Sequence, residues 1–210
     1  MAECVARCRG KEIVEALIAA IRQNRDYLSE IDGAIGDGDH GVNMNKGFTM
    51  AAGRLEGDSF SESLEVLGTT LLEDIGGSMG PLYGGLFLAM SEVDDAQGIG
   101  RREFGEMLAL GLASIEDLSP AKPGDKTLMD ALVPAKAAYF AAMEEDKSFS
   151  QCLDAMKEAA EKGRDSTKDM VARLGRASRL GERSRGVLDA GAVSCCILLT
   201  AFADALKKCL

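Results

Sequence analysis

The stretch Ile31-Asp-Gly-Ala-Ile-Gly-Asp-Gly-Asp-His-Gly-Val-Asn-Met-Asn45 decides how the rest of the chain is read. Asp32, Asp37 and Asp39 stand at D-x4-D-x-D spacing among Gly33, Gly36, Gly38 and Gly41, and His40 is the chain's only histidine. Three acids this close repel one another unless positive charge lies between them. Glycines lack a Cβ and accept positive φ, so the backbone can fold tightly around a small object. Hard oxygen donors without cysteine or a second histidine suit Mg²⁺ or Ca²⁺ and not zinc. The expectation is a magnesium site that holds the phosphates of a nucleotide.

Better-known motifs in this stretch fail on context. Gly36-Asp-Gly-Asp-His-Gly41 spells G-x-G-x-x-G, but no βαβ unit surrounds it, and two aspartates would face a pyrophosphate. An EF-hand counted from Asp37 would need glycine at Val42 and a bidentate acid at Phe48. Lys46 is followed by Gly47 and Phe48, so there is no Walker A motif.

Outward from the acids the pattern is helical. Val14, Leu17, Ile18 and Ile21 recur at helical spacing, which predicts a first helix from about Lys11 to Ser29 that ends at the acid loop. Asn43 is the expected N-cap of a second helix, Met44 to Leu55. Further helices are expected over about Phe60–Ile75, Pro81–Asp94, Arg102–Leu118, Thr127–Glu145, Phe149–Ala160 and Ala190–Lys208. Pro134 should kink the sixth or mark its true first turn. That makes eight helices and no convincing alternating strand. Short connections imply antiparallel neighbours, so loops gathered at one end of a bundle could build one site.

The 210 residues suit one domain, and the 46% hydrophobic content supports a sizeable core. No apolar run reaches the roughly 18 residues of a membrane span, and Ala190–Ala203 reads as a buried helix. A net charge of −10 argues against nucleic acid and anionic membranes as partners. It also means that phosphates would need local help from metal, helix N-termini and arginines. Six scattered cysteines form no Cys-x-x-Cys pair and read as reduced thiols. Residues 1–11 lack an apolar core of the signal-peptide kind, so the expected location is the cytoplasm.

Other stretches allow two readings. Gly76-Gly-Ser-Met-Gly-Pro81 is an anion site at a helix N-terminus or a tight helix connection. Arg173, Arg176, Arg179, Arg183 and Arg185 suit phosphates, or are a solvated charge run. Met129 could lie against a flat ring or in the core. Asp189-Ala-Gly191 could be an N-cap alone.

Taken in order, Asp32–Met44, Glu73–Gly84, Lys122–Leu132, Gly175–Ser184 and Asp189–Ala192 resemble the nucleotide-binding L subunit family of dihydroxyacetone kinases. The resemblance covers nearly the whole chain. It implies an all-α fold of about eight antiparallel helices closed into a barrel, with the nucleotide at the loops of one end. It implies that Asp32, Asp37 and Asp39 ligate two Mg²⁺ ions bridging the phosphates of ADP or ATP. His40, Gly41, Val42, Asn43, Ser78 and Met79 would contact the nucleotide. Gly124 and Met129 would line the adenine pocket, with Arg176 and the Asp189-Ala190-Gly191 turn closing over it. The implied partners are a K subunit that binds dihydroxyacetone and a phosphohistidine M subunit of the phosphotransferase system, and a homodimer is expected.

No general base for a substrate hydroxyl stands out, which fits an acceptor held by another chain. Two departures stand out. Ala190 replaces the family's common proline, and Arg185-Gly-Val-Leu188 replaces its histidine-containing approach. The alternatives are the nucleotide domain of a fatty-acid kinase, which His40 and Val42 argue against, an erythrulose kinase, or a non-catalytic ADP-sensing module.

Overall fold

The computed structural model describes residues 3–210. Its nine α-helices are α1 (Gly10–Gln23), α2 (Arg25–Ile35), α3 (His40–Ala52), α4 (Phe60–Asp74), α5 (Met79–Ser91), α6 (Arg101–Leu118), α7 (Met129–Glu144), α8 (Phe149–Ser166) and α9 (Ala190–Cys209). Short 3-10 turns at Thr167–Asp169 and Arg176–Ser184 lie between α8 and α9. A two-residue antiparallel pairing joins β1 (Cys4–Val5) to β2 (Ile99–Gly100), where only a loop was expected.

The expected first helix is two helices. The Asn24 side-chain amide donates to the Ala20 carbonyl at 2.8 Å and closes α1 there. An asparagine that satisfies a helix end with its own side chain competes with helix continuation. The apolar stripe nevertheless resumes, with Leu28, Ile31 and Ile35 buried along α2. Asp32 and Gly33 therefore lie in the last turn of α2 and not in a loop.

The second expected helix also starts earlier. The Asp39 carbonyl already accepts the Asn43 amide at 2.9 Å, so α3 begins at His40 and Asn43 sits within its first turn and is not its N-cap. Met79 opens α5 and places Pro81 in the first turn, where its missing N–H costs nothing. Pro134 lies inside α7.

Ser59 with Glu62 and Ser148 with Gln151 form capping boxes that start α4 and α8. In the core, Phe104 of α6 meets the rings of Tyr139, Phe149 and Phe202, at centroid distances of 5.5, 6.0 and 5.6 Å. It thereby joins four helices. α9 is long and apolar enough to cross a membrane, but it is a core helix that packs on α1, α7 and α8. All six cysteines are free thiols, and Cys152, Cys195 and Cys196 are buried.

Candidate functional site

Four chain breaks meet at one end of the helices: α2–α3, α4–α5, α6–α7 and α8–α9. Between them lies a cleft of about 630 Å³. Its walls include Asp32, Asp37, Asp39, His40, Asn43, Ser78, Met79, Met129, Arg176, Asp189, Ala190 and Gly191. The sequence-expected site residues are therefore brought together, with three exceptions.

Gly41 is buried beneath the cleft, and a Cβ there would overlap the Arg25 carbonyl oxygen. Its role in the structure is to let α3 touch α2. Val42 points outward and is exposed. Gly124 does not line the cleft, and its amide donates to Asp130 Oδ1 at 2.5 Å. Gly41 and Val42 still occupy the first turn of α3, where backbone amides have no acceptor inside the helix.

The acids converge. One carboxylate oxygen from each of Asp32, Asp37 and Asp39 lies within 4.8 Å of the others. Asp32 comes from the last turn of α2, and the glycine-rich turn returns Asp37 and Asp39 to face it. Gly38 adopts φ +77, so a left-handed residue stands between the two. The three acids form an all-oxygen donor set beside helix N-termini, which fits a hard divalent cation and the anion that it would carry. The Arg176 guanidinium pairs with Asp37.

His40 opens α3. Its Nε2 lies 2.9 Å from Ser194 Oγ in α9, and that hydroxyl lies 2.7 Å from the Tyr83 hydroxyl of α5. Burial lowers the His40 pKa, against the opposing charge of Asp32. The ring is therefore neutral near pH 7. Asp189 caps α9 by accepting the Ala192 amide at 2.7 Å. Burial raises its pKa from 3.8 to about 7, with that amide and Lys126 opposing, and Asp130 and Asp32 adding to the rise. Ala190 is the first residue of α9, a position where proline would also fit.

Lys126, Asp130, Tyr83 and Ser194 escaped the sequence reading as working residues. Asp130 accepts the amides of Gly124 and Thr127, and this holds Lys126 at φ +63 between them. Lys126 is 1% exposed. Its ammonium donates to the carbonyls of Met170, Ser184 and Val187 at 3.2, 2.6 and 2.6 Å. Lys126 and Tyr83 lie inside stretches that carried the family resemblance, which was the available signal. Their partners are far away in the chain.

Comparison with known proteins places the chain. Residues 34–204 match the DAK2 domain. The chain is 37% identical over 187 residues to the ADP-binding subunit DhaL of the PEP-dependent dihydroxyacetone kinase of Escherichia coli K12, covering 87% of this chain and 89% of that protein. It is 32% identical to an L-erythrulose kinase of Pectobacterium atrosepticum, of which it spans 37%. The structure matches the dihydroxyacetone kinase of C. freundii in complex with AMP-PNP and Mg²⁺, with a TM-score of 0.71 and 25% identity, over 97% of this chain and 35% of that one. A family match across most of the chain, together with a relative of this similarity at nearly full length, establishes that the protein belongs to the DAK2-domain family.

Proposed function

We propose that this protein is the nucleotide-binding subunit of a phosphoenolpyruvate-dependent dihydroxyacetone kinase. The observation that carries the reading is the convergence of Asp32, Asp37 and Asp39 within 4.8 Å, in a chain matching the ADP-binding DhaL subunit over most of both lengths. The erythrulose kinase is matched over only 37% of its length, so the subunit reading is the better supported of the two.

In this reading the three aspartates hold two Mg²⁺ ions, which neutralise and position the phosphates of ADP or ATP. Phosphoryl transfer asks a protein mainly for such positioning and charge compensation. The first-turn amides of α3, including those of Gly41 and Val42, and the Ser78–Met79 start of α5 supply further donors. Arg176 covers charge on the open side. Met129 forms an apolar wall for the base with Leu82, Ile115 and Leu128, which line the same cleft. Gly124 contributes by shaping the loop before α7.

The His40 Nε2 is engaged with the buried Ser194 hydroxyl, so the ring serves as an orienting group and not as a base for the acceptor. The acceptor dihydroxyacetone belongs to a separate K subunit, and a phosphohistidine M subunit rephosphorylates bound ADP. The chain acts as one domain, in the cytoplasm, and as a homodimer. Closure of the helices into a barrel belongs to the same reading. Its support is the run of packed neighbours from α1 to α9, α9 to α8, α8 to α7, α7 to α6, α6 to α5, α5 to α4 and α4 back to α1.

The test is reconstitution. Purified protein should carry or retain ADP with Mg²⁺ through dialysis. It should form dihydroxyacetone phosphate when the K subunit, dihydroxyacetone and phosphorylated M subunit are added. Turnover with ATP alone at the same rate would remove the phosphotransferase version, and absence of nucleotide binding would remove the reading.

A further inference from the structure

The segment between α8 and α9 carries all five clustered arginines and places Arg176 against Asp37. It is long and polar, and it contributes little to the core. Among residues 171–187 only Ala172 and Ser184 are buried. Gly175, Gly181 and Gly186 adopt φ +69, +55 and +91 with no neighbour near a would-be Cβ, so backbone conformation and not packing sets them as glycine. A segment of this kind needs an external anchor to keep one shape.

Lys126 supplies one, beside the Arg173 amide on the Asp125 carbonyl at 3.1 Å, while the Gly186 amide on the Lys168 carbonyl at 2.7 Å closes the neck from within. An ammonium has three donors, and all three are spent on carbonyls of this segment. Met170 lies where the chain leaves α8, while Ser184 and Val187 lie where it returns toward α9. One buried charge thus ties both ends of the segment at its neck. Asp130 in turn fixes the backbone on either side of Lys126. A buried ammonium is costly unless its donors are satisfied, so its place here implies that the neck is closed in the folded protein.

We propose that Lys126 is a positioning residue for the nucleotide cleft: by clasping the neck of the 170–187 segment it holds Arg176 at the acid cluster and slows release of the bound nucleotide. The proposal rests on the nucleotide reading above for its second half, and on the hydrogen-bond geometry alone for its first.

The experiment compares wild type, Lys126→Met, Arg176→Ala and the double variant. Far-UV circular dichroism checks folding. If Lys126→Met does not fold, Lys126→Gln, which keeps two N–H donors, takes its place in every arm. Limited trypsin digestion followed by mass spectrometry reads the neck, since Arg173, Arg176, Arg179, Arg183 and Arg185 are all cleavage sites. Cleavage there should accelerate about tenfold in the Lys126 variant, because proteolysis follows the open population. Stopped-flow release of a fluorescent ADP analogue in Mg²⁺ reads the cleft. Release should speed up about tenfold on Lys126→Met and by a similar factor on Arg176→Ala, with the double variant no faster than either, the coupling expected of residues acting through one element.

Equal trypsin rates would overturn the clasp. Multiplying effects on release would overturn the link to Arg176. Wild type that binds no ADP with Mg²⁺ would defeat the nucleotide reading, and the trypsin arm would still decide whether Lys126 holds the neck.

Discussion

His40 Nε2 lies 2.9 Å from Ser194 Oγ, which ties the first turn of α3, beside the acid cluster, to the core helix α9. Ser194 is fully buried and also meets the Tyr83 hydroxyl. The position of the imidazole is therefore set from inside the fold.

Removing that link should be measurable. Ser194→Ala leaves His40 without its partner and Tyr83 with only the Gly191 carbonyl at 3.3 Å. The expected loss is about 1–2 kcal/mol, the usual cost of leaving a buried polar group short of a hydrogen bond. Thermal denaturation by circular dichroism should show a fall of about 2–8 °C, given the usual scaling for a chain of this size. An unchanged melting temperature would contradict the role given to Ser194.

His40 is the only histidine, so its ring proton gives a single assignable signal in an NMR pH titration. In metal-free protein the midpoint should fall below 6.5, because burial outweighs the nearby Asp32 charge. The sign for stability follows. The unfolded chain binds this proton more readily than the folded one, so the contribution is present above the ordinary histidine value and is lost as pH falls through the folded midpoint. A midpoint at or above 6.5 would contradict the partly buried, neutral ring.

Asp189 has the opposite sign from an ordinary paired carboxylate. Its folded pKa of about 7 lies above 3.8, so ionising it costs stability progressively between those values, and fully above pH 7. Asp189→Asn keeps a good N-cap and removes the charge. Without metal and nucleotide, the variant should melt higher than wild type at pH 8 and show no such gain at pH 4. Equal differences at both pH values would show that the carboxylate is not perturbed.

Gly163 tests the packing of α8 on α7. A Cβ there would overlap the Asp130 carbonyl oxygen. Gly163→Ala should destabilise by about 1–3 kcal/mol through overpacking, although alanine is the better helix former. Urea denaturation decides it, and a stabilised variant would contradict the close contact.

The helices themselves were largely legible in the sequence, because Val14–Ile21, Leu64–Leu71 and Phe104–Ile115 repeat at one helical period and their buried faces agree with it, although Leu72, in the same apolar run, is exposed. The break at Asn24 was not. The apolar stripe resumes in phase on its far side, and α1 ends where Asn24 leaves the helical backbone with its side chain on the Ala20 carbonyl. The acid cluster was legible for a different reason, since its residues lie within eight consecutive positions, Asp32 to Asp39. Lys126 was not legible, because a lysine between Asp125 and Thr127 reads as surface. Its burial comes from carbonyls 44, 58 and 61 residues away. Local pattern names the residues of the site, while distant backbone decides which of them are held in place.

The proposed function turns on nucleotide binding to the three aspartates through a divalent cation. Calorimetric titration of ADP into metal-stripped protein, with Mg²⁺ and then with EDTA, tests it most directly. ADP should bind in Mg²⁺, weaken by about 100-fold or more in EDTA, and weaken similarly on Asp37→Ala with Mg²⁺ present, as expected when a ligand of a charge-bridging ion is removed. ADP affinity that is unchanged by EDTA and by Asp37→Ala would contradict it.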